Sequence, residues 1–119
     1  MNILIVDDKK ELCDILEDFL NELNFYKIDK VYNGLEALKK IEEKKYDLMI
    51  SDIKMPIMDG IELVKNIKKL NISLHIILIS GQSDLIESLQ NRNLGKYDFL
   101  IKPIDTKKLT EILKSIWVF

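Results

Sequence analysis

Apolar and polar residues follow two different periods along this chain, and the change of period predicts strands alternating with helices. Continuous apolar runs predict buried strands at residues 2–6, 48–50, 74–79 and 99–101, and a more polar run at 26–31 predicts a strand at a sheet edge. Between these runs, apolar residues recur every three or four positions, which is one face of a helix. The first such stripe comprises Leu12, Ile15, Leu16, Phe19, Leu20 and Leu23.

Further helical stripes are predicted over residues 35–41, 60–70, 84–92 and 109–116. The segment 84–92 has few apolar anchors and low helix propensity, so we expect it to be the most mobile element. Five strands alternating with five helices predict a doubly wound α/β fold, because parallel strands need right-handed crossovers. No linker or repeat interrupts the pattern, and we expect a single domain over residues 1–119.

The order of the five strands decides which side chains meet. Orders 3-2-1-4-5 and 2-1-3-4-5 are both common in such sheets. The second is favoured here, because it places the strand that ends at Asp52 between the strand before Asp7 and Asp8 and the strand before Ser80. Neighbouring strands lie about 4.8 Å apart, so side chains at their carboxyl ends can share one ion.

Composition and charge exclude several classes of function. The 119 residues are 47% hydrophobic, which is enough for one core, and the net charge of -2 gives no reason to expect nucleic acid binding. No apolar run approaches the roughly 20 residues that span a bilayer, and no signal peptide is recognisable, so we expect a cytoplasmic protein. Cys13 is the only cysteine, and its place in the first helical stripe predicts a reduced core thiol.

The residues that follow the strands carry the chemistry. Asp7, Asp8 and Asp52 would place three carboxylates in one crevice, where each close pair repels by a few kcal/mol at an effective dielectric of about 20. A divalent cation relieves this repulsion, and oxygen ligands favour Mg²⁺ or Mn²⁺ over zinc. A carboxylate beside the cation can attack phosphorus, while Lys102 neutralises phosphoryl oxygens and Ser80 contributes a hydroxyl.

Four motifs in chain order resemble those of bacterial response-regulator receiver domains, of the kind seen in single-domain chemotaxis regulators with a flavodoxin-like fold. They are Val6-Asp7-Asp8, the segment 52–60 (Asp-Ile-Lys-Met-Pro-Ile-Met-Asp-Gly), Ser80-Gly81, and the segment 98–103 (Asp-Phe-Leu-Ile-Lys-Pro). Each motif is weak by itself, but all four at strand ends make a specific combination. The resemblance covers the whole chain.

The resemblance implies that Asp52 accepts a phosphoryl group from a sensor histidine kinase, a phosphotransfer protein or a small phosphodonor. It also implies that Asp8, Asp52 and the backbone carbonyl of Lys54 bind Mg²⁺, with Mn²⁺ as a possible substitute, and that Asp7 contacts the cation mainly through water. By the same resemblance, the chain promotes only its own phosphorylation and dephosphorylation, and it is otherwise not an enzyme.

The resemblance implies that residues after Asp52 along the chain respond to its phosphorylation and transmit the signal. Ser80 would bond to the new phosphoryl group, Phe99 would turn inward behind it, and Lys102 would pair with the phosphoryl oxygens, next to a cis peptide bond with Pro103. Ser80 stands where many relatives have threonine, and Phe99 stands where tyrosine is commoner, which removes a phenolic hydrogen bond. Lys54 and Gln82 occupy two variable positions that influence phosphate lifetime in this family.

The expected output surface consists of the segment 84–92, the last strand and the last helix. It would act on a downstream protein partner, on a linked output domain that this sequence does not contain, or through a phosphorylation-dependent homodimer. By resemblance, the first helix docks the kinase. No direct contact with nucleic acid or membrane is expected.

Plainer interpretations exist for some of these residues. Asp8 could cap the first helix, in addition to any role in metal binding, and Asp59 is expected to cap the third. An aspartyl phosphatase of the haloacid-dehalogenase type usually needs a second acid where Lys54 stands, together with a cap domain. A nucleotide or flavin binder needs a glycine-rich loop after the first strand, where Asp7 stands instead. The chain could also be a receiver-like interaction module that no longer accepts phosphate, and a phosphorylation assay distinguishes this alternative.

Overall fold

The apolar runs of the sequence form the strands of one sheet, which a computed structural model describes over residues 1–23, 27–82 and 97–116. The strands are β1 (Asn2–Val6), β2 (Lys27–Val31), β3 (Leu48–Asp52), β4 (His75–Ser80) and β5 (Asp98–Ile101). The helices within these ranges are α1 (Lys10–Glu22), α2 (Gly34–Glu43), α3 (Gly60–Lys69) and α4 (Thr106–Ile116). The predicted helix at 84–92 lies outside the described residues.

All neighbouring strands are parallel, and their order is β2-β1-β3-β4-β5. The predicted doubly wound sheet and its 2-1-3-4-5 order are therefore confirmed. Successive residues of each strand face opposite sides of the sheet, as the period of two requires. In β1, Leu4 and Val6 join the buried cluster under α2 and α3, whereas Ile3 and Ile5 join the cluster under α1 and α4.

Side-chain caps begin three of the helices, with Asp105 accepting hydrogen bonds from the Lys107 and Lys108 N–H groups at the start of α4. The Asn33 side chain accepts a hydrogen bond from the Glu36 N–H at the start of α2, and Asp59 accepts one from the Glu62 N–H at the start of α3. The predicted cap role of Asp59 is confirmed. The N-cap residue of α1 is Lys9, and no side chain caps this helix, so the interpretation of Asp8 as a cap is wrong.

The predicted apolar stripe of α1 differs from the observed buried face at one position. Cys13, Leu16 and Leu20 are buried against the sheet, and the expectation of a core thiol at Cys13 is confirmed. Ile15 satisfies the same three-and-four spacing but is 62% exposed. The bounds of β2 to β5 also differ by one or two residues from the predicted runs; β4, for example, covers His75–Ser80 and not 74–79.

None of the helices in the described ranges has the length and apolar character that crossing a lipid bilayer requires.

Candidate functional site

The parallel arrangement brings the ends of four strands to one edge of the sheet. Backbone hydrogen bonds continue the ladder just past these ends: the Asp7 N–H donates to Val31 O, the Ile53 N–H to Ile79 O, and the Lys102 N–H to Ser80 O. Residues at or directly after the strand ends are thereby fixed in position. The carboxyl edge is where open α/β sheets bind ligands.

Three acidic side chains meet at this edge. Carboxylate oxygens of Asp7, Asp8 and Asp52 all lie within 4.8 Å of one another. Asp7 and Asp52 are buried, at 5% and 6% exposure, and Asp8 is exposed. Two of the carboxylates are thus shielded from water, and the third opens the cluster to solvent.

Lys102 joins the cluster from β5, two strands away from β3. Its Nζ lies 3.2 Å from Asp52 Oδ2, within hydrogen-bonding distance, and 3.6 Å from Asp7 Oδ2. The long side chain makes this reach possible, and its ammonium group partly neutralises both buried carboxylates. The Lys102–Pro103 peptide bond is cis. Sequence reasoning placed Lys102 in the crevice but did not foresee its contact with Asp7, for which the sequence carries no signal.

The surroundings of Asp7 disfavour its charged form. Burial acts most strongly and raises the pKa of the Asp7 carboxyl, and the nearby charge of Asp52 raises it further. The Lys9 N–H, which donates to Asp7 Oδ1 at 2.9 Å, and the charge of Lys102 lower the pKa again, but the net direction is upward. An anionic Asp7 therefore costs free energy in the folded protein unless more positive charge is supplied.

The other residues singled out in the sequence lie at or near the same edge. Ser80 is buried at the end of β4, and its Oγ accepts a hydrogen bond of 3.0 Å from the Gln82 N–H. Phe99 is half-buried in β5 and packs against the core cluster on the α2 and α3 side. Lys54 is exposed, two residues past Asp52.

The donor set of the acidic cluster fits a hard divalent cation. All three side chains offer oxygen, and within the described ranges no histidine or cysteine joins them. Such ligands suit Mg²⁺ or Mn²⁺ better than zinc. A cation there would also supply the positive charge that a buried, anionic Asp7 lacks.

Comparison with known proteins gives relatives for this arrangement. Residues 3–114 match the family described as the response regulator receiver domain. The transcriptional regulatory protein ZraR of Klebsiella oxytoca is 39% identical over 109 residues, which cover 92% of this chain but only 24% of that protein. The structure of a two-component response regulator from Clostridium difficile has a TM-score of 0.87 and 34% identity, covering 98% of this chain and 94% of that one. The Francisella response regulator 1452 receiver domain has a TM-score of 0.86 and 28% identity, with 97% and 94% covered.

Proposed function

This chain belongs to the response regulator receiver domain family, and we propose that it is a phosphorylation-controlled switch whose acceptor is Asp52. The family consists of signalling domains of two-component systems. One observation carries the proposal: the Asp52 carboxylate is buried at the end of a central strand, yet it lies 3.2 Å from Lys102 Nζ and within 4.8 Å of two further carboxylates. A structural carboxylate at a strand end has no need of such neighbours.

Phosphorylation requires a carboxylate oxygen of Asp52 to attack phosphorus. The new bond joins that oxygen to phosphorus, and the bond between phosphorus and the donor breaks, with its electron pair leaving on the histidine nitrogen or on the acetate oxygen. Lys102 stays close to the acceptor and pairs with the phosphoryl oxygens as their negative charge moves toward Asp52. The chain thus promotes a reaction on its own side chain.

Mg²⁺, or Mn²⁺ in its place, is the cation that the acidic cluster would hold. Asp8 and Asp52 would contribute carboxylate oxygens, Lys54 its backbone carbonyl, and Asp7 a contact through water. The bound cation supplies positive charge that stabilises the transferring phosphoryl group. Asp7 then remains anionic at neutral pH despite its burial.

Ser80 and Phe99 would carry the signal away from the acceptor. The Ser80 hydroxyl already accepts the Gln82 N–H, so its donor hydrogen is available for a phosphoryl oxygen. A move of Ser80 toward Asp52 would break the bond to Gln82 and free space next to β5. Phe99 would occupy this space, which changes the surface formed by β5 and α4. Each state is stabilised by its own contacts, so phosphorylation shifts an existing equilibrium.

The phosphodonor partner would dock on α1. A groove of about 460 Å³ lies between this helix and the segment that follows β5, and its walls are mostly apolar. It is lined by Leu12, Ile15, Leu16, Phe19, Lys102, Pro103, Ile104 and Thr106. Because Lys102 belongs to both the groove and the acceptor site, a sensor histidine kinase or phosphotransfer protein bound here would bring its phosphohistidine near Asp52.

The structure says less about the output partner than about the phosphodonor partner. The surface formed by β5 and α4 would act on a downstream protein, a linked output domain or a second copy of the chain, in the cytoplasm. The net charge of -2 gives no support for direct nucleic acid binding.

Intact mass spectrometry after incubation with acetyl phosphate and Mg²⁺ tests the acceptor. Wild type is expected to gain one phosphoryl group, and the gain disappears in EDTA and in Asp52→Asn. The matched control is Asp98→Asn, since Asp98 is exposed at the opposite edge of the sheet and its replacement leaves the adduct unchanged. If wild type accepts phosphate neither from acetyl phosphate nor from histidine kinases, the proposal is refuted and the chain is a receiver-like interaction module.

A further inference from the structure

The loop between β3 and α3, residues 53–59, carries the Lys54 carbonyl and is tied down at both ends. The Ile53 N–H donates to Ile79 O, and the Gly60 N–H donates to Ile53 O at 2.7 Å. Gly60 approaches the strand end so closely that an added Cβ would lie 2.5 Å from Asp52 O. The loop therefore begins and ends beside the acceptor.

The middle of the loop is a strained turn. The Met58 N–H donates to Pro56 O at 2.8 Å, which closes a γ-turn around Ile57, whose φ is 73°. A γ-turn with positive φ is rare, and the conformation is least favourable for a β-branched residue. The Ile57 side chain is 74% exposed, so its own packing contributes little to holding the turn. Strain of this kind persists only when neighbouring contacts enforce it.

Met58 provides those contacts, because it lies between two helices. An added Cβ at Gly34, the first residue of α2, would lie 2.5 Å from Met58 O and 2.9 Å from Met58 Cβ. On the other side, Asn66 Nδ2 of α3 lies 3.8 Å from Met58 Sδ. Only glycine allows the backbone of α2 to touch the backbone of the loop at this point.

From these contacts we propose that Gly34 is a positioning residue for the acceptor site. It acts through Met58 and the Ile57 turn, which together fix where the loop places the Lys54 carbonyl relative to Asp52. Gly34 is not a member of the acidic cluster, and the three atoms nearest to an added Cβ at this position all belong to Met58. The inference rests on the proposed function, because it assumes that the loop supplies a cation ligand.

The substitution Gly34→Ala tests this positioning role. The added methyl group displaces Met58, since the atoms in its way are backbone oxygen and the base of a side chain rather than a flexible tip. We expect the dissociation constant for Mg²⁺ to rise about tenfold, as for other residues that orient a ligand without contacting the metal. The constant is measured by following the NMR chemical shifts of the backbone amides of residues 52–60 during a Mg²⁺ titration. The titration is done without urea, at a temperature at which each variant is folded.

Gly81→Ala is the matched control, because an added Cβ at Gly81 meets nothing within 4 Å. It should bind Mg²⁺ as wild type does. Ile57→Gly perturbs the same loop without adding an atom: glycine tolerates the positive φ but also many other conformations, so the turn is held less firmly and the affinity falls. This variant carries the test if Gly34→Ala does not fold.

The possible results separate the inference from the proposed function. Weaker Mg²⁺ binding by Gly34→Ala, with Gly81→Ala unchanged, supports the positioning role of Gly34; if Gly34→Ala does not fold, weaker binding by Ile57→Gly supports the turn through which Gly34 acts. Wild-type affinity in folded Gly34→Ala, or in Ile57→Gly where Gly34→Ala does not fold, overturns the inference and leaves the acceptor role of Asp52 intact. If wild type itself shows no Mg²⁺-dependent shifts, the cation site is wrong and the inference falls with it.

Discussion

Asp7→Asn should stabilise the metal-free protein, because it removes a buried negative charge that the fold does not fully compensate. The amide is close in size to the carboxylate, and its oxygen can still accept the hydrogen bond that the Lys9 N–H now donates to Asp7 Oδ1. Lys102 keeps its contact with Asp52. The substitution therefore removes the charge and keeps the Lys9 hydrogen bond, while the amide NH2 replaces Oδ2 and the ion pair with Lys102 at 3.6 Å is lost.

The magnitude follows from the charges around Asp7. At an effective dielectric of about 20, Asp52, no more than 4.8 Å away, repels Asp7 by at least roughly 3.5 kcal/mol, and Lys102 at 3.6 Å attracts it by roughly 5 kcal/mol. Asp8 is as close, but it is exposed, so water screens its repulsion. These terms largely offset each other, and the cost of removing Asp7 from water remains. Because that cost is several kcal/mol for a buried ion and is partly met by the Lys9 N–H, we expect Asp7→Asn to raise the free energy of unfolding by about 1–2 kcal/mol at pH 7.

The gain should depend on pH with a definite sign. The folded state raises the pKa of Asp7 above the ordinary value of 3.8, so the folded protein holds this proton more tightly than the unfolded chain does. The cost of the ionised carboxylate is absent below 3.8 and is fully present once the pH exceeds the raised folded pKa. The stability difference between Asp7→Asn and wild type should therefore shrink as the pH falls from 7 toward 4.

Urea denaturation in EDTA at several pH values measures this difference. Asp98→Asn is the matched control, since Asp98 is exposed at the opposite edge of the sheet and its replacement should change stability by less than about 0.5 kcal/mol. Saturating Mg²⁺ should stabilise wild type by about 2.7 kcal/mol at 100 times its dissociation constant and stabilise Asp7→Asn less. A variant that is less stable than wild type in EDTA, or a difference that does not change with pH, would refute the reasoning.

Two further predictions concern the partner and the switch. Ile15→Lys should leave stability and phosphorylation by acetyl phosphate unchanged, because the side chain is 62% exposed, but it should slow transfer from a kinase that phosphorylates wild type. Leu35→Lys on α2, at 41% exposure, should leave both reactions unchanged, and equal kinase rates in the two variants would exclude docking on α1. Ser80→Ala should still take up phosphate from acetyl phosphate, while the ¹⁹F NMR shift of fluorinated Phe99 no longer responds; a retained response would contradict the proposed coupling.

Strands β1, β3 and β4 were predictable from the sequence because each is a short, mostly apolar run that is buried along nearly its whole length, whereas the edge strands β2 and β5 are only partly buried. The strand order followed from chemistry, since only one of the two common orders brings Asp52 between Asp7 and Ser80. The sequence predicted the buried faces of the helices less accurately than it predicted the strands. Ile15 fits the spacing of the α1 stripe, and only the packing of the helix in the fold shows that this position is exposed.

Contacts between backbone segments left no signal in the sequence. The dipeptide Asn33-Gly34 is typical of a turn. Nothing in the pattern of apolar and polar residues indicates that Gly34 contacts Met58, 24 positions later. The positive φ of Ile57 is equally hidden, because a β-branched residue argues against such a conformation. Both features depend on how α2 and α3 are placed against the sheet, and this placement is a property of the whole fold.

The two costly features of the described structure lie at the same edge, and this has a consequence for evolution and engineering. Asp7 is a buried charge without full compensation, and Ile57 is a bulky residue with positive φ. Elsewhere in the described ranges, buried side-chain polar atoms all have hydrogen-bond partners. Substitutions that stabilise the fold are therefore expected to concentrate around Asp52, where, if the proposed function holds, they would also weaken cation binding. Selection for stability alone would remove Asp7, so its presence argues that the acidic cluster is kept for its chemistry.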